Sequence, residues 1–291
     1  MPEHALPALL TTLFMWWFST GLILYLDGLG RATHRWTMAG ATLLLGLALW
    51  GLRVSGADAS VGGAYHGFIA GLMVWAWQEV AFLLGFITGP NRAACPPGAS
   101  GLARAGQALR ALLWHELALL AGAALVLALT WGQPNQVGLL TYLVLWVMRI
   151  SAKLNLHLGV RNHYDEFLPH HLHHLKQYFT RRPMNALFPV SVVLATLGCV
   201  VLFGRATAAE ASAFELASAT LVGTLLALGL LEHWFLVLPI PAARLWQWGL
   251  ASHRPVPATV ATAGPLSLPV NQVRLSWINA AGHVPHAKEE P

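Results

Sequence analysis

The sequence predicts an all-α fold, a polytopic helical membrane protein of about seven transmembrane helices with its N-terminus outside and its C-terminus in the cytoplasm. Three observations predict it. Hydrophobic residues make up 56% of the chain and charged residues only 10%, whereas a water-soluble domain carries about 25% charged residues. Apolar runs close to the ~20 residues that cross ~30 Å of hydrocarbon recur along the length. Basic residues gather in alternate loops, the pattern of a multi-pass protein obeying the positive-inside rule.

The spans fall at about 6–26, 36–54, 62–88, 108–130, 136–156, 186–203 and 216–239. The first holds Trp16 and Trp17. With neither a basic leader nor a small-residue cleavage site before it, it reads as a retained span and not a signal peptide. The third closes at the Gly89-Pro90 breaker, and the fourth at Trp131-Gly132-Gln133-Pro134. Together they make one helical domain over 1–240, followed by a cytoplasmic tail, 241–291, rich in Pro, Ala and Thr and largely irregular. Arg31 and Arg35, then Arg92, Arg104 and Arg110, then Arg161, Lys176, Arg181 and Arg182, then Arg244, Arg254, Arg274 and Lys288 occupy the segments assigned inside. The outer loops hold only Arg53 and Arg205. The net charge of +5 therefore reports topology. No basic patch interleaved with aromatics suggests nucleic acid as a partner.

Several features take structural readings. Cys95 and Cys199 form no metal or redox motif, and no phosphate loop, dinucleotide fingerprint or nucleophile elbow is present. Gly40, Gly46, Gly71, Gly85 and Gly122 are expected to permit close helix packing. The polar stretch 153–182 lies on the cytoplasmic side. Within its loop, 157–185, Pro169 is expected at the first position of a short amphipathic interfacial helix near 169–180, with Leu172, Leu175 and Phe179 on its apolar face.

Ionisable residues within spans are costly and mark function by default. Counting the ~1.5 Å rise per residue from the cytoplasmic ends, Glu79 lies roughly 13 Å deep, His115 and Glu116 roughly 11–12 Å, and Glu232 and His233 roughly 10 Å. Arg149 shares that level, and Lys153 and His157 follow it at i+4 and i+8 in one stripe. Gln78 and Asn155 are positioned to join. Three readings of this layer stand open. In the first, Arg149 and Lys153 neutralise Glu79, Glu116 and Glu232, since buried charges pair; Arg149 with Glu116 is the pair marked for a double substitution. In the second, Glu79, His115, Glu116, Glu232 and His233 hold iron in a di-iron-like oxidase or hydroxylase acting on a tetrapyrrole or lipid, and the run His170-His171-Leu172-His173-His174 matches the HxxHH of membrane hydroxylases. In the third, a histidine ligates the magnesium of a chlorophyll-type pigment.

The runs Leu154-Asn155-Leu156, Leu158-Gly159-Val160-Arg161-Asn162, Glu166-Phe167-Leu168-Pro169 and His171-Leu172, with Tyr178-Phe179, resemble the PuhE family of photosynthetic complex assembly proteins of purple phototrophic bacteria. Met184-Asn185-Ala186-Leu187-Phe188-Pro189-Val190-Ser191 and Phe86-Ile87-Thr88-Gly89-Pro90-Asn91-Arg92 resemble it too. The resemblance implies a multi-pass protein of the bacterial cytoplasmic or intracytoplasmic photosynthetic membrane, acting in assembly of the reaction centre and core antenna. Implied partners are the bilayer, reaction-centre or core-antenna subunits and pigment-biosynthesis enzymes; the implied cofactor is bacteriochlorophyll or a precursor. Carried residue by residue, the motif points to Asn155, Arg161, Asn162, Glu166, Pro169 and His171. His170, His173 and His174 depart from the family pattern. The resemblance supplies no catalytic residue.

Overall fold

The structure, a computed structural model, describes residues 2–93, 95–96 and 98–253. Those residues are all-helical, with seven long helices: α1 (Pro2–Asp27), α2 (Arg31–Ser55), α3 (Val61–Leu83), α4 (Gly101–Thr130), α5 (Val137–Leu158), α6 (Leu187–Ala206) and α7 (Ala213–Val237). Six have the length and apolar character of a membrane span; α3 does not. His66, Gln78 and Glu79 reduce its apolar character, and it is enclosed by α1, α2, α4, α5 and α7. Large apolar side chains on the outer helices, such as Leu43 at 74% exposed and Leu194 at 63%, face away from the protein, as expected where the surroundings are hydrocarbon.

Lipid is as apolar as leucine, so close packing and internal hydrogen bonds hold such helices together. At the α3–α5 crossing, Gly71 has no room for a side chain: a Cβ there would lie 2.4 Å from the Gly138 carbonyl oxygen. Gly71→Val is therefore expected to force the two backbones apart, at a cost of about 1–3 kcal/mol. Gly46→Val serves as the control, because a Cβ at Gly46 meets nothing within 4 Å. Melting of the detergent-solubilised variants checks the contrast. Gly122 likewise abuts Tyr142 and Gln78, whereas Gly40 and Gly46 stand in open space and mediate no packing. Phe68, Leu72, Leu221 and Leu225 fill the α3–α7 core, and Leu52, Val74, Leu119 and Tyr142 a second core among α2–α5.

Several boundaries differ from the sequence expectation: α2 begins at Arg31 and α4 at Gly101, ahead of the expected 36 and 108. α3 stops at Leu83, short of the Gly89-Pro90 breaker, because Gly85 adopts φ +82° and the Phe86 and Ile87 amides turn back to the Ala81 carbonyl. The segment expected to be an interfacial helix is a 3₁₀ helix, His170–Tyr178, and Pro169 is its extended N-cap, not its first helical residue. Three residues per turn put Leu172, Leu175 and Tyr178 on one face, and these three are buried against Phe82, Leu83 and Ala111. Tyr178 thus takes the place expected for Phe179.

The first residues assigned to the tail pack on α1. Short 3₁₀ turns, Ala242–Trp246 and Gly249–His253, run along its second half. Trp246 Nε1 donates to the Trp17 carbonyl at 2.9 Å, and Trp17 Nε1 to the Leu245 carbonyl at 2.8 Å. His253 Nε2 meets the Asp27 carboxylate at 2.6 Å. The remainder of the expected tail lies outside the described residues. The Asp27 partner holds the His253 pKa above its ordinary value. A raised folded pKa means the contact contributes fully below the unfolded value of ~6.5 and fades as pH rises through the folded one. Amide exchange in 242–253 is accordingly expected to quicken, beyond its intrinsic rate, as pH climbs from 6 to 9. In His253→Ala that pH-dependent component should vanish. His34 is the other titratable group near Asp27.

Candidate functional site

The expected polar layer resolves into three parts. The first is a charged cluster among α3, α4 and α5. Arg149 Nη2 pairs with Glu79 Oε2 and Lys153 Nζ with Glu116 Oε1, both at 2.6 Å. The pairing is therefore Arg149 with Glu79, not with Glu116: one turn along α5, Lys153 faces α4 and takes Glu116 itself. Because α3 ends at Leu83, Glu79 lies only four residues from its helix end, roughly 6 Å. Gln78 Nε2 donates to the Ala118 carbonyl at 3.1 Å. His115 is fully buried with its ring centroid 4.3 Å from that of Phe82, and neither ring nitrogen has a partner among the described residues.

The second part is a neutral network joining α5, α6 and α7. His233 Nδ1 donates to the Gly229 carbonyl at 2.9 Å, which leaves Nε2 to accept from the Ser151 hydroxyl at 2.8 Å. Ser151 and Ser191 hydroxyls lie 2.9 Å apart, and Asn155 Nδ2 donates to the Ser151 carbonyl at 2.9 Å and to Ser191 Oγ at 3.2 Å. Asn185 completes it. Its Nδ2 reaches Asn155 Oδ1 and the Asn155 and Gly159 carbonyls, while its Oδ1 accepts from the Leu187 and Phe188 amides. One amide thus ties the end of α5 to the start of α6. In the third part, Glu232 accepts from Trp16 Nε1 at 2.7 Å and makes no ion pair among the described residues, though it stays within electrostatic reach of Arg149.

This arrangement separates the residues the iron reading requires together. Among the described residues, no group of three His, Cys, Asp or Glu side chains is arranged to hold a metal ion. Glu79 and Glu116 are engaged by cations, His233 by a serine and a carbonyl, and Glu232 by an indole. The histidine run does not converge either. His173 bonds to the Leu168 carbonyl and His174 to the His171 carbonyl, and His170 and His173 are exposed.

The comparisons with known proteins carry no activity. A family model described as a protein of unknown function, DUF3623, matches residues 1–256. The chain belongs to the DUF3623 family. It is 42% identical over 267 residues, 90% of this chain and 97% of the relative, to an uncharacterized 30.4 kDa protein in the puhA 5′ region of Rhodobacter capsulatus. No solved structure matches it.

In this DUF3623 chain the motif residues divide by task. Asn155 belongs to the buried amide network. Asn162 Nδ2 donates to the Phe235 carbonyl at 2.7 Å and to the Leu238 carbonyl, pinning the loop to the end of α7. Pro169 is buried at the start of the 3₁₀ helix. His171 packs on Gly85, and its burial holds its pKa below the ordinary imidazole range. His157 Nδ1 donates to the Tyr178 carbonyl at 3.2 Å, joining α5 to the same helix. Arg161 and Glu166 are exposed and make no side-chain hydrogen bond among the described residues. Ser151 and Asn135 are the residues that sequence reasoning passed over. Asn135 donates to the Ser55, Asp58 and Gly63 carbonyls; its place between Pro134 and the start of α5 is the local signal for such a turn residue.

Proposed function

We propose that this protein is an integral membrane factor for assembly of the photosynthetic reaction centre and core antenna, influencing bacteriochlorophyll supply. The observation that carries the reading is the 42%-identical relative, whose name places it in the puhA 5′ region; on this reading that neighbourhood is photosynthetic. The resemblance of the stretches within 154–191 to the PuhE family supports it. In this reading all seven long helices cross the cytoplasmic or intracytoplasmic membrane, α3 held within the other six. The N-terminus is outside, and the loop carrying Arg161, Glu166 and the 3₁₀ helix faces the cytoplasm, where the two exposed charges are available to a reaction-centre or antenna subunit. The interior networks hold that face in place.

The test is deletion of the gene in a phototrophic host, with complementation, followed by near-infrared absorption of the membranes. The expected result is a loss of core-complex absorbance with subunit transcripts unchanged. Unchanged core-complex bands would overturn the proposal.

A further inference from the structure

The two cations of α5 take two of the three carboxylates expected in the polar layer, and the pairing leaves one carboxylate over. Glu79 has Arg149 and Glu116 has Lys153. Glu232 is hydrogen-bonded to the Trp16 indole and makes no ion pair among the described residues, although Arg149 lies within electrostatic reach. It lies five residues before the end of α7, roughly 8 Å along the helix. Its side chain is open to the outside, as are its neighbours Leu231 and Trp234, whereas His233, Phe235 and Leu236 turn inward. Trp16 forms one wall, and Trp246 meets it edge-on at 5.0 Å between ring centroids. Behind lies Arg149, whose side chain keeps 40% of its exposure despite the bond to Glu79.

A carboxylate on the flank of an apolar helix, with one neutral donor, is incompletely satisfied in a bilayer, where such groups pair with opposite charge. The part-exposed indole of Trp16 beside it is a surface that attracts an ammonium or guanidinium group, while Trp246 backs it from within the protein. Charge and aromatic frame specify the same kind of occupant. We propose that the notch between α1 and α7, made by Glu232 and the part-exposed Trp16, receives a lysine or arginine side chain presented by a transmembrane helix of a partner protein. That the partner is a membrane protein rests on the assembly reading; the recognition chemistry rests on the notch.

The test uses the full chain in phosphatidylcholine–phosphatidylglycerol liposomes, which contain no primary amine. The probe is a fluorescently labelled leucine-rich transmembrane peptide of about 21 residues, made with one lysine at the depth of Glu232 or with leucine there. Energy transfer to the labelled protein is expected to show the lysine peptide binding about tenfold more tightly. The preference should disappear in E232Q, which retains an acceptor for Trp16. Equal binding of the two peptides to the wild type would overturn the proposal, as would a lysine preference that survives in E232Q. Loss of the preference on adding phosphatidylethanolamine would assign the notch to a lipid amine and overturn it also. Failure here leaves the deletion phenotype standing, so the two proposals fail separately.

Discussion

Arg149→Leu is expected to destabilise the protein by about 3–5 kcal/mol, because it strands the Glu79 carboxylate inside the bundle. Glu79 retains only 9% side-chain exposure against 40% for Arg149, so the damage should be unequal. Glu79→Gln leaves behind the more accessible partner, which still has Glu232 within electrostatic reach, and should cost less. Arg149→Leu combined with Glu79→Gln should melt at a higher temperature than Arg149→Leu alone, since no unpaired carboxylate remains at that site. Arg149→Leu with Glu116→Gln should be worse than either single change, as it breaks both ion pairs and strands Lys153. Thermal unfolding of the five variants, Glu116→Gln included, in detergent reads the ordering directly.

Asn185→Ala is the second large effect. The side chain makes five hydrogen bonds: three donated to Asn155 and Gly159 at the end of α5, and two accepted from the first amides of α6. Alanine removes a cap from α6 and takes the side-chain donor from the Gly159 carbonyl and from Asn155 Oδ1, while the Asn155 carbonyl keeps the Gly159 amide. The combined loss is about 2–4 kcal/mol. Amide exchange should rise at Leu187 and Phe188 and across residues 155–160, while α2 and α4 remain protected. A uniform rise over the whole chain would mean that Asn185 does not act locally.

These two sites show what the sequence made legible. The helices were legible because apolar length is a one-dimensional property, but the depth of a charge was only as good as the helix end it was counted from. α3 ends at Leu83 and α4 starts at Gly101, which moves Glu79 nearer its helix end and His115 and Glu116 farther from theirs. Which charges meet was not. Depth along an axis does not give the direction a helix faces, so Arg149 had three carboxylates at similar depth and no way to choose among them. The end of α3 was missed because Gly85 resembled a packing glycine, and only its positive φ makes it a terminator. The 3₁₀ period was present in the spacing of Leu172, Leu175 and Tyr178, but Phe179 fitted the more common helix. Asn155, Asn162 and Asn185 were picked out by resemblance, which named them without giving their work: Asn162 and Asn185 satisfy backbone carbonyls where a helix ends, and Asn155 ties α5 to Ser191 of α6. The fold-back of 242–253 onto α1 could have been suspected from its indole rings, since Trp246 and Trp248 belong on an apolar surface.

The assembly account and the iron alternative part most directly at one preparation. The protein is purified in mild detergent from phototrophically grown cells, with near-infrared absorbance, iron content and co-purifying subunits measured on the same sample. The account predicts reaction-centre or core-antenna subunits with their pigment, and no stoichiometric iron. Stoichiometric iron that is lost in Glu116→Gln or His233→Leu, in a sample free of reaction-centre and antenna subunits, would contradict it.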